Sequence, residues 1–357
     1  MRQRNRAAMA TRRAFLQGAL RLGAGLSALP FAAACAQPSG APSVPPPGTT
    51  ASQTASNTSP TARPLRTVVF ATSAGGSAMG LITQVIKRHQ LDEKHGLNLD
   101  LKPLDPSEAE RATVMGIVEA GFFVPVSWAK ANLEGQNVSF LAPLYTNHGA
   151  VLVRADSPYQ SLSDLRGKRI ATLPSVSGLY TSMQVIVRKL GMDWERDFDL
   201  VAGQAPAVIA ALERGDADAA IPFEPNVSKL LATGQYREVM NPNETWQQLT
   251  GSSLFMVGLA ALQSWIDQNR DTARAIRACV LDATRYLRET PSVWEEEREL
   301  LGITNEQHLA LVKERMAKIY MPEPNPEMVR SIEEIIDISA QLGIIPEKPR
   351  KEIFASV

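Results

Sequence analysis

The chain has 357 residues, 37 basic and 37 acidic side chains, 44% apolar content and two cysteines. Its zero net charge conceals an asymmetry: all 37 acids follow Pro64, whereas seven arginines precede it, leaving a body with 30 basic against 37 acidic groups. An acidic body without a basic stripe excludes nucleic acid as the partner, since phosphate binding needs clustered Lys and Arg. The composition also excludes bulk disorder and collagen-like repeats, and about 290 residues suffice for two lobes with cores of their own.

Thr11-Arg12-Arg13-Ala14-Phe15-Leu16-Gln17 opens an apolar, acid-free stretch that runs through Leu20, Leu22, Leu26, Leu29 and Phe31 to Ala32-Ala33-Ala34-Cys35. It resembles a twin-arginine export signal ending in a lipoprotein cleavage box, with Ala32 standing where such boxes usually carry Leu. The resemblance implies a signal over residues 1–35, lipidation at Cys35, and the periplasm or the outer face of the cytoplasmic membrane as the destination. Arg21 and several Gly interrupt the apolar run, unlike a clean membrane span. Residues 36–64 are mainly Pro, Ser, Thr, Ala and Gly, with Val44 the only large apolar side chain before Pro64. Such a stretch cannot offset its chain entropy by burial, so it reads as a disordered tether. With Cys35 acylated, Cys279 has no partner for a disulfide and no base beside it, and a small core residue is its simplest role.

The body alternates strand and helix. Thr67–Ala71 reads as a buried strand, Thr72–Gly80 as a glycine-rich loop, and Met79–Leu91 as a helix with Leu81, Ile82, Val85 and Ile86 on one face. Leu97–Leu101 alternates as a second strand. Ser107-Glu108-Ala109-Glu110 has capping-box spacing and predicts a helix running through Val114, Met115, Ile117 and Val118. Gly121–Val124 is the third strand. A second pass begins at Arg169–Thr172, followed by a loop from Leu173 to Gly178, a helix to Leu190, a strand around Phe198–Val201, Pro206 in a first helical turn, Gly215 at a helix stop, and a strand over Ala217–Ile221. Ala71-Thr72 corresponds to Ala171-Thr172, and Val124-Pro125 to Ile221-Pro222. Strands separated by helices over such lengths predict parallel pairing through crossovers.

The expected fold is therefore α/β: two lobes, each a mainly parallel sheet flanked by helices, with a helical C-terminal part over Thr272–Arg288, Glu306–Ile319 and Asn325–Leu342. Lobe 1 takes residues 65–148 and 253–357, and lobe 2 takes 149–252. Tyr145–Gly149 serves as the hinge and Gly251–Val257 as the return crossing. Ligands of open β/α sheets collect beyond the carboxyl ends of the strands, which places a cleft between the two lobes.

Ser161-Leu162-Ser163-Asp164-Leu165-Arg166-Gly167-Lys168-Arg169-Ile170-Ala171 and Ala211-Leu212-Glu213-Arg214-Gly215-Asp216-Ala217-Asp218-Ala219-Ala220 resemble the substrate-binding proteins of ABC importers for nitrate, taurine and alkanesulfonates, and thiamine pyrimidine precursors. The resemblance covers roughly Leu65 to Val357. It implies a type II periplasmic binding protein, with ligand contacts from four loops. The first holds Ser73, Gly75, Gly76 and Ser77, whose backbone N–H groups lead into a helix amino end that favours negative charge; a flexible turn is the alternative. The second holds Ser127 as a donor and Trp128 as an apolar cover, with core packing as the alternative for the latter. The third holds Ser175, Ser177, Tyr180 and Thr181, dense in hydroxyls, one of which helix capping explains. The fourth holds Phe223 and Glu224, whose carboxylate suits an amine or aminopyrimidine, or else stands solvated at a helix start. Asn147 and His148 contact the ligand at the hinge or bond to backbone, and His89 and His95 read as solvated.

No His-Glu-x-x-His, paired-cysteine metal spacing, Walker loop or Gly-x-Ser-x-Gly elbow occurs. The reading is a monomeric carrier without catalytic residues, cofactor or metal. It captures a small polar organic ligand, sulfonate or pyrimidine-like, by hinge closure and delivers it to an inner-membrane ABC permease, touching the membrane through its lipid anchor only. A ligand-sensing subunit of a signalling receptor is the alternative. A pyrimidine-synthase-like enzyme is the more distant one, because no cysteine lies between Cys35 and Cys279.

Overall fold

The computed structural model describes residues 64–357; the expected signal, the expected tether before Pro64 and Cys35 lie outside the described residues. The first half runs β1 (Arg66–Thr72), α1 (Ala78–Arg88), α2 (Leu91–Lys94), β2 (Leu97–Pro103), α3 (Pro106–Val114), β3 (Gly121–Phe123), α4 (Pro125–Leu133) and β4 (Val138–Thr146). The chain then crosses over through β5 (Val151–Arg154) and continues with β6 (Arg169–Thr172), α5 (Gly178–Lys189), β7 (Asp199–Ala202), α6 (Ala205–Glu213), β8 (Ala219–Ala220), α7 (Asn226–Leu231), β9 (Tyr236–Met240) and α8 (Pro242–Thr250). It returns through β10 (Phe255–Leu262) and ends in α9 (Gln263–Gln268), α10 (Arg270–Glu289), α11 (Val293–Glu296), α12 (Glu306–Met316) and α13 (Pro326–Gln341).

The apolar spacing read from the sequence is the buried face of the helices. Leu81, Ile82, Val85 and Ile86 of α1 are fully buried, and Ser77 caps the helix by accepting from the Gly80 N–H at 3.0 Å. In the second half Ser177 caps α5 in the same way, accepting from the Tyr180 N–H at 3.2 Å. Cys279 lies on the buried side of α10, where burial pushes its thiol up to about 12.

The two sheets have the same plan. β1 and β2 are parallel, and β1 meets β3 through a parallel bridge, Phe70 to Ala120, in which the Ala71 N–H donates to the Ala120 carbonyl at 2.9 Å. β3 and β4 flank β10, both antiparallel to it, which gives the order β2-β1-β3-β10-β4. The second sheet reads β7-β6-β8-β5-β9, with β7 and β8 parallel to β6 and with β5 antiparallel to β8 and β9. Each strand of one sheet thus has its counterpart in the other. The strand that enters from the opposite half is the one that runs antiparallel, so in each sheet four strands share one direction and a single strand opposes them, as a mainly parallel sheet requires.

Two local expectations change. α3 starts at Pro106 with Asp105 as its N-cap residue, so Ser107 lies inside the first turn and makes no capping box. The helix stops at Val114 because Gly116 adopts a φ of +69°, and Met115 and Ile117 are exposed. α13 packs against α4 and α5. Its Ile332 and Ile336 join one apolar cluster with Phe140 and Phe255 of the first sheet and Ile170 and Met183 of the second half. The Trp246 indole of α8 donates to Ser331 on the same helix at 2.9 Å. α13 therefore buttresses both halves.

Candidate functional site

The carboxyl-end rims of the two sheets meet. A Cβ added to Gly178, the first residue of α5, would lie 2.7 Å from Cγ1 of Val124 at the end of β3 and 3.5 Å from the Met256 methyl of β10. Beneath this contact, a Cβ on Gly149 of the crossover would lie 2.5 Å from Leu179 and 3.4 Å from the Pro222 carbonyl. Tyr320 ties the first rim to the crossover. Its hydroxyl donates to the Ala78 carbonyl of α1 at 3.2 Å, and its backbone bridges Tyr145 of β4.

The loops over 73–77 and 173–178 occupy equivalent places and have closely matched burial, with exposed tips between a buried strand end and a buried helix. Ser73 is half-buried, Ser175 is exposed, and Gly75 and Gly76 pack against Leu300, with Gly76 at φ +80°. The two capping serines differ in one respect. The Ser77 hydroxyl also donates to the Ala74 carbonyl at 2.7 Å, whereas the Ser177 hydroxyl has no acceptor among the described residues.

Other expected contacts are engaged within the protein. Trp128 is 1% exposed and stacks on Phe140 at 5.9 Å between ring centres, which makes it a core side chain rather than a cover for a ligand. Tyr180 packs edge-on against Trp194 and donates its hydroxyl to Glu195 at 3.0 Å, a contact that together with burial pushes the phenol up to about 12. Thr181 back-bonds to the Gly178 carbonyl at 3.1 Å, as a Thr in a first helical turn does.

At the crossover, Asn147 is buried. Its Oδ1 accepts from the Gly149 N–H at 3.0 Å, while its Nδ2 has no partner. His148 packs edge-on between Tyr145 and Phe223 and bonds through Nδ1 to the Thr146 carbonyl at 3.2 Å. A carbonyl only accepts, so Nδ1 carries the proton, and burial holds the imidazole neutral with its pKa down to about 4. Phe223 is half-buried and bridges Gly149. The remote histidines are not free in solvent: His89 packs tilted against Tyr286 at 4.4 Å between ring centres, and His95 bonds to Asp282 at 2.8 Å.

Glu224 is neither solvated nor open. It is 1% exposed, one oxygen accepts from the Ser228 N–H at 3.0 Å, and the other pairs with Nε of Arg315 at 2.5 Å. Arg315 forks onward to Glu238 at 2.7 Å. Burial raises the Glu224 carboxyl, and Arg315 opposes that rise.

Glu110 was not among the expected site residues. From α3 it reaches the start of α4, where Oε1 accepts from the Val124 N–H at 3.5 Å and the Ser127 side chain is near enough to favour the charged carboxylate. It has no ion pair among the described residues, and burial pushes it up to about 7. Its only signal in the sequence was the capping-box spacing, which pointed to its own helix. Among the described residues no group of three His, Cys, Asp or Glu is placed to hold a metal ion.

The NMT1/THI5 like family model matches residues 93–293, more than half of the chain. The chain belongs to the NMT1/THI5 like family. The match takes in α3, β3, the crossover and the whole second half, and so most of the apposed rims. Among curated proteins, this member is 26% identical over 216 residues to the taurine-binding periplasmic protein of Escherichia coli K12, an alignment that covers 58% of this chain and 63% of that protein. Among solved structures it resembles the periplasmic aliphatic sulphonate binding protein of Escherichia coli, with a TM-score of 0.64 at 17% identity over 80% of this chain and 95% of that one. The alkanesulfonate-binding protein of Xanthomonas axonopodis pv. citri bound to MOPS gives a TM-score of 0.62 at 16% identity over the same shares. The fold is that of a two-lobed type II periplasmic binding protein.

Proposed function

We propose that this chain is the extracytoplasmic substrate-binding component of an ABC importer, and that it takes a small organic sulfonate between its two rims. The observation that carries this reading is the apposition of two equivalent strand-end rims at Val124 and Gly178, each bearing a serine-capped helix start. The loops over 73–77, 125–128 and 174–181 contain no Lys or Arg. A monoanion would therefore be met by backbone N–H groups at helix starts and by hydroxyls, a mode that suits the diffuse charge of a sulfonate. The free hydroxyl hydrogen of Ser177 and the unpartnered Nδ2 of Asn147 are the donors we assign to it, with Ser73, Ser127 and Ser175 completing the polar lining. Glu224 is assigned a positioning role, since both of its oxygens are engaged.

Closure about the Tyr145–Gly149 crossover gives the bound form contacts from both lobes, with lobe boundaries at 65–148 plus 253–357 and 149–252. The proposal extends to export by the twin-arginine route, acylation of Cys35, a monomeric carrier on its tether, and delivery to an inner-membrane permease. Thermal-shift titration with taurine, ethanesulfonate, aminopyrimidines and nitrate tests the ligand class, because a ligand that binds only the folded form raises Tm by mass action. A rise with the sulfonates alone supports the reading; a rise with nitrate or an aminopyrimidine and none with sulfonates overturns it.

A further inference from the structure

Glu110 is a carboxylate in an unusual position. It is half-buried, lacks an ion-pair partner among the described residues, and is held at the start of α4 by the Val124 N–H. The cation that acts on it, Lys130, is one turn further along α4 with an exposed side chain and does so only through space. Burial without a counter-charge raises its pKa to about 7, so the fold tolerates this acid rather than gaining from its charge.

Its location gives that cost a use. Val124, whose N–H it accepts from, is the residue whose side chain meets Gly178 across the rims. The carboxylate therefore stands beside the seam that a ligand must enter, next to loops that carry no basic side chain. In a poorly hydrated seam, the charge of a ligand's second substituent acts on Glu110 with little screening. A positive substituent is drawn in and a negative one is repelled, and repulsion of a wrong ligand is as effective for selectivity as attraction of the right one.

Resting on the sulfonate reading above, we propose that Glu110 is the charge-selecting residue of the cleft, favouring sulfonates that carry a cationic or donor group near the sulfonate and rejecting those that carry a second anion. The test is calorimetric titration of the full chain and of Glu110→Gln at pH 8 with three two-carbon sulfonates: taurine, ethanesulfonate and sulfoacetate, which end in an ammonium, a methyl and a carboxylate. The wild type should bind them in that order of affinity, with at least tenfold between the extremes. Glu110→Gln keeps an acceptor for the Val124 N–H and should compress the range to less than about threefold, chiefly by strengthening sulfoacetate. Glu110→Ala gives the same compression and serves if the Gln variant does not fold. An unchanged range in both variants, or a wild type that prefers sulfoacetate, overturns the assignment and leaves the sulfonate reading standing. Failure of the wild type to bind any of the three overturns both.

Discussion

The turn from β3 into α4 and the turn from β8 into α7 occupy equivalent places in the two sheets, and each brings a glutamate to a helix start. In the second half Glu224 comes from the turn itself and is neutralised by Arg315, whose guanidinium also holds Glu238. In the first half Glu110 comes from the preceding helix and has no cation in contact among the described residues. The contrast separates two uses of one residue type. A buried carboxylate with a matched guanidinium fixes the position of a helix, here α12 against the second half, whereas one left unmatched beside a seam remains available to a ligand.

The largest expected effect tests the paired member. Arg315→Ala leaves Glu224 buried without its counter-charge and should cost about 3–5 kcal/mol in chemical denaturation. Glu224→Gln combined with Arg315→Met removes both charges and should recover most of that loss. A cost below about 1 kcal/mol for Arg315→Ala would mean that Glu224 finds another partner and that the two turns are not as different as their geometry suggests.

The unpaired member makes a prediction of opposite sign, of about 3 kcal/mol at most. The Glu110 pKa is raised in the folded state from 4.5 to about 7, so the native protein binds more protons than the unfolded chain in that window. Its contribution is therefore lost as pH rises, and Glu110→Gln should gain stability over the wild type between pH 5 and pH 8. His148 titrates in a similar window the other way. Its pKa is lowered from 6.5 to about 4, so its contribution is complete above 6.5 and is lost as pH falls. His148→Phe, which keeps the edge-on packing on Tyr145 and Phe223, should flatten the acid limb between pH 6.5 and 4. Denaturation midpoints across pH for the two variants check both signs, and parallel curves for wild type and Glu110→Gln would show that its carboxyl is hydrated.

These differences could not be read from the sequence, although much of the plan around them could. Thr72 and Thr172 both end a first strand, Ser177 is the hydroxyl of its loop that helix capping explains, Pro206 sits in a first helical turn, and Gly215 follows a helix end with positive φ. Such features are local, because a cap or a stop is decided by residues within one turn of it. What escaped is long-range. Glu110 shares its spacing with a capping box, but the helix starts at Pro106 and the side chain goes to another element. Arg315 lies 91 positions from Glu224, and nothing in either local segment announces the pair. The antiparallel crossing strands β5 and β10 are likewise set by which sheet the chain enters, not by their own residues.

A smaller effect tests the seam itself. The residue that opens the helix after the glycine-rich loop is Ala78 in the first half and Gly178 in the second, where Val124 leaves no room for a methyl group. Gly178→Ala should cost about 1–3 kcal/mol by overpacking and should weaken taurine binding by holding the rims apart. The reverse change, Ala78→Gly, should cost less than that and leave binding unaltered. Equal effects on binding would indicate that the Val124–Gly178 contact has no part in closure.

The smallest effect discriminates most finely between the halves. Ser77 and Ser177 accept the same N–H bond at the same place, so replacing either by Ala should cost about 1 kcal/mol of stability. The two losses should add, since the caps belong to separate helices with no shared partner. Their hydroxyl hydrogens differ, however. That of Ser77 is committed to the Ala74 carbonyl, while that of Ser177, in the loop we assign to the ligand, has no acceptor among the described residues. Ser177→Ala should therefore weaken taurine binding by roughly tenfold, the value of one hydrogen bond to a charged acceptor, whereas Ser77→Ala should leave it within a factor of two. Equal binding losses would make both serines simple caps, and the asymmetry of the two loops would then lie in their backbone N–H groups.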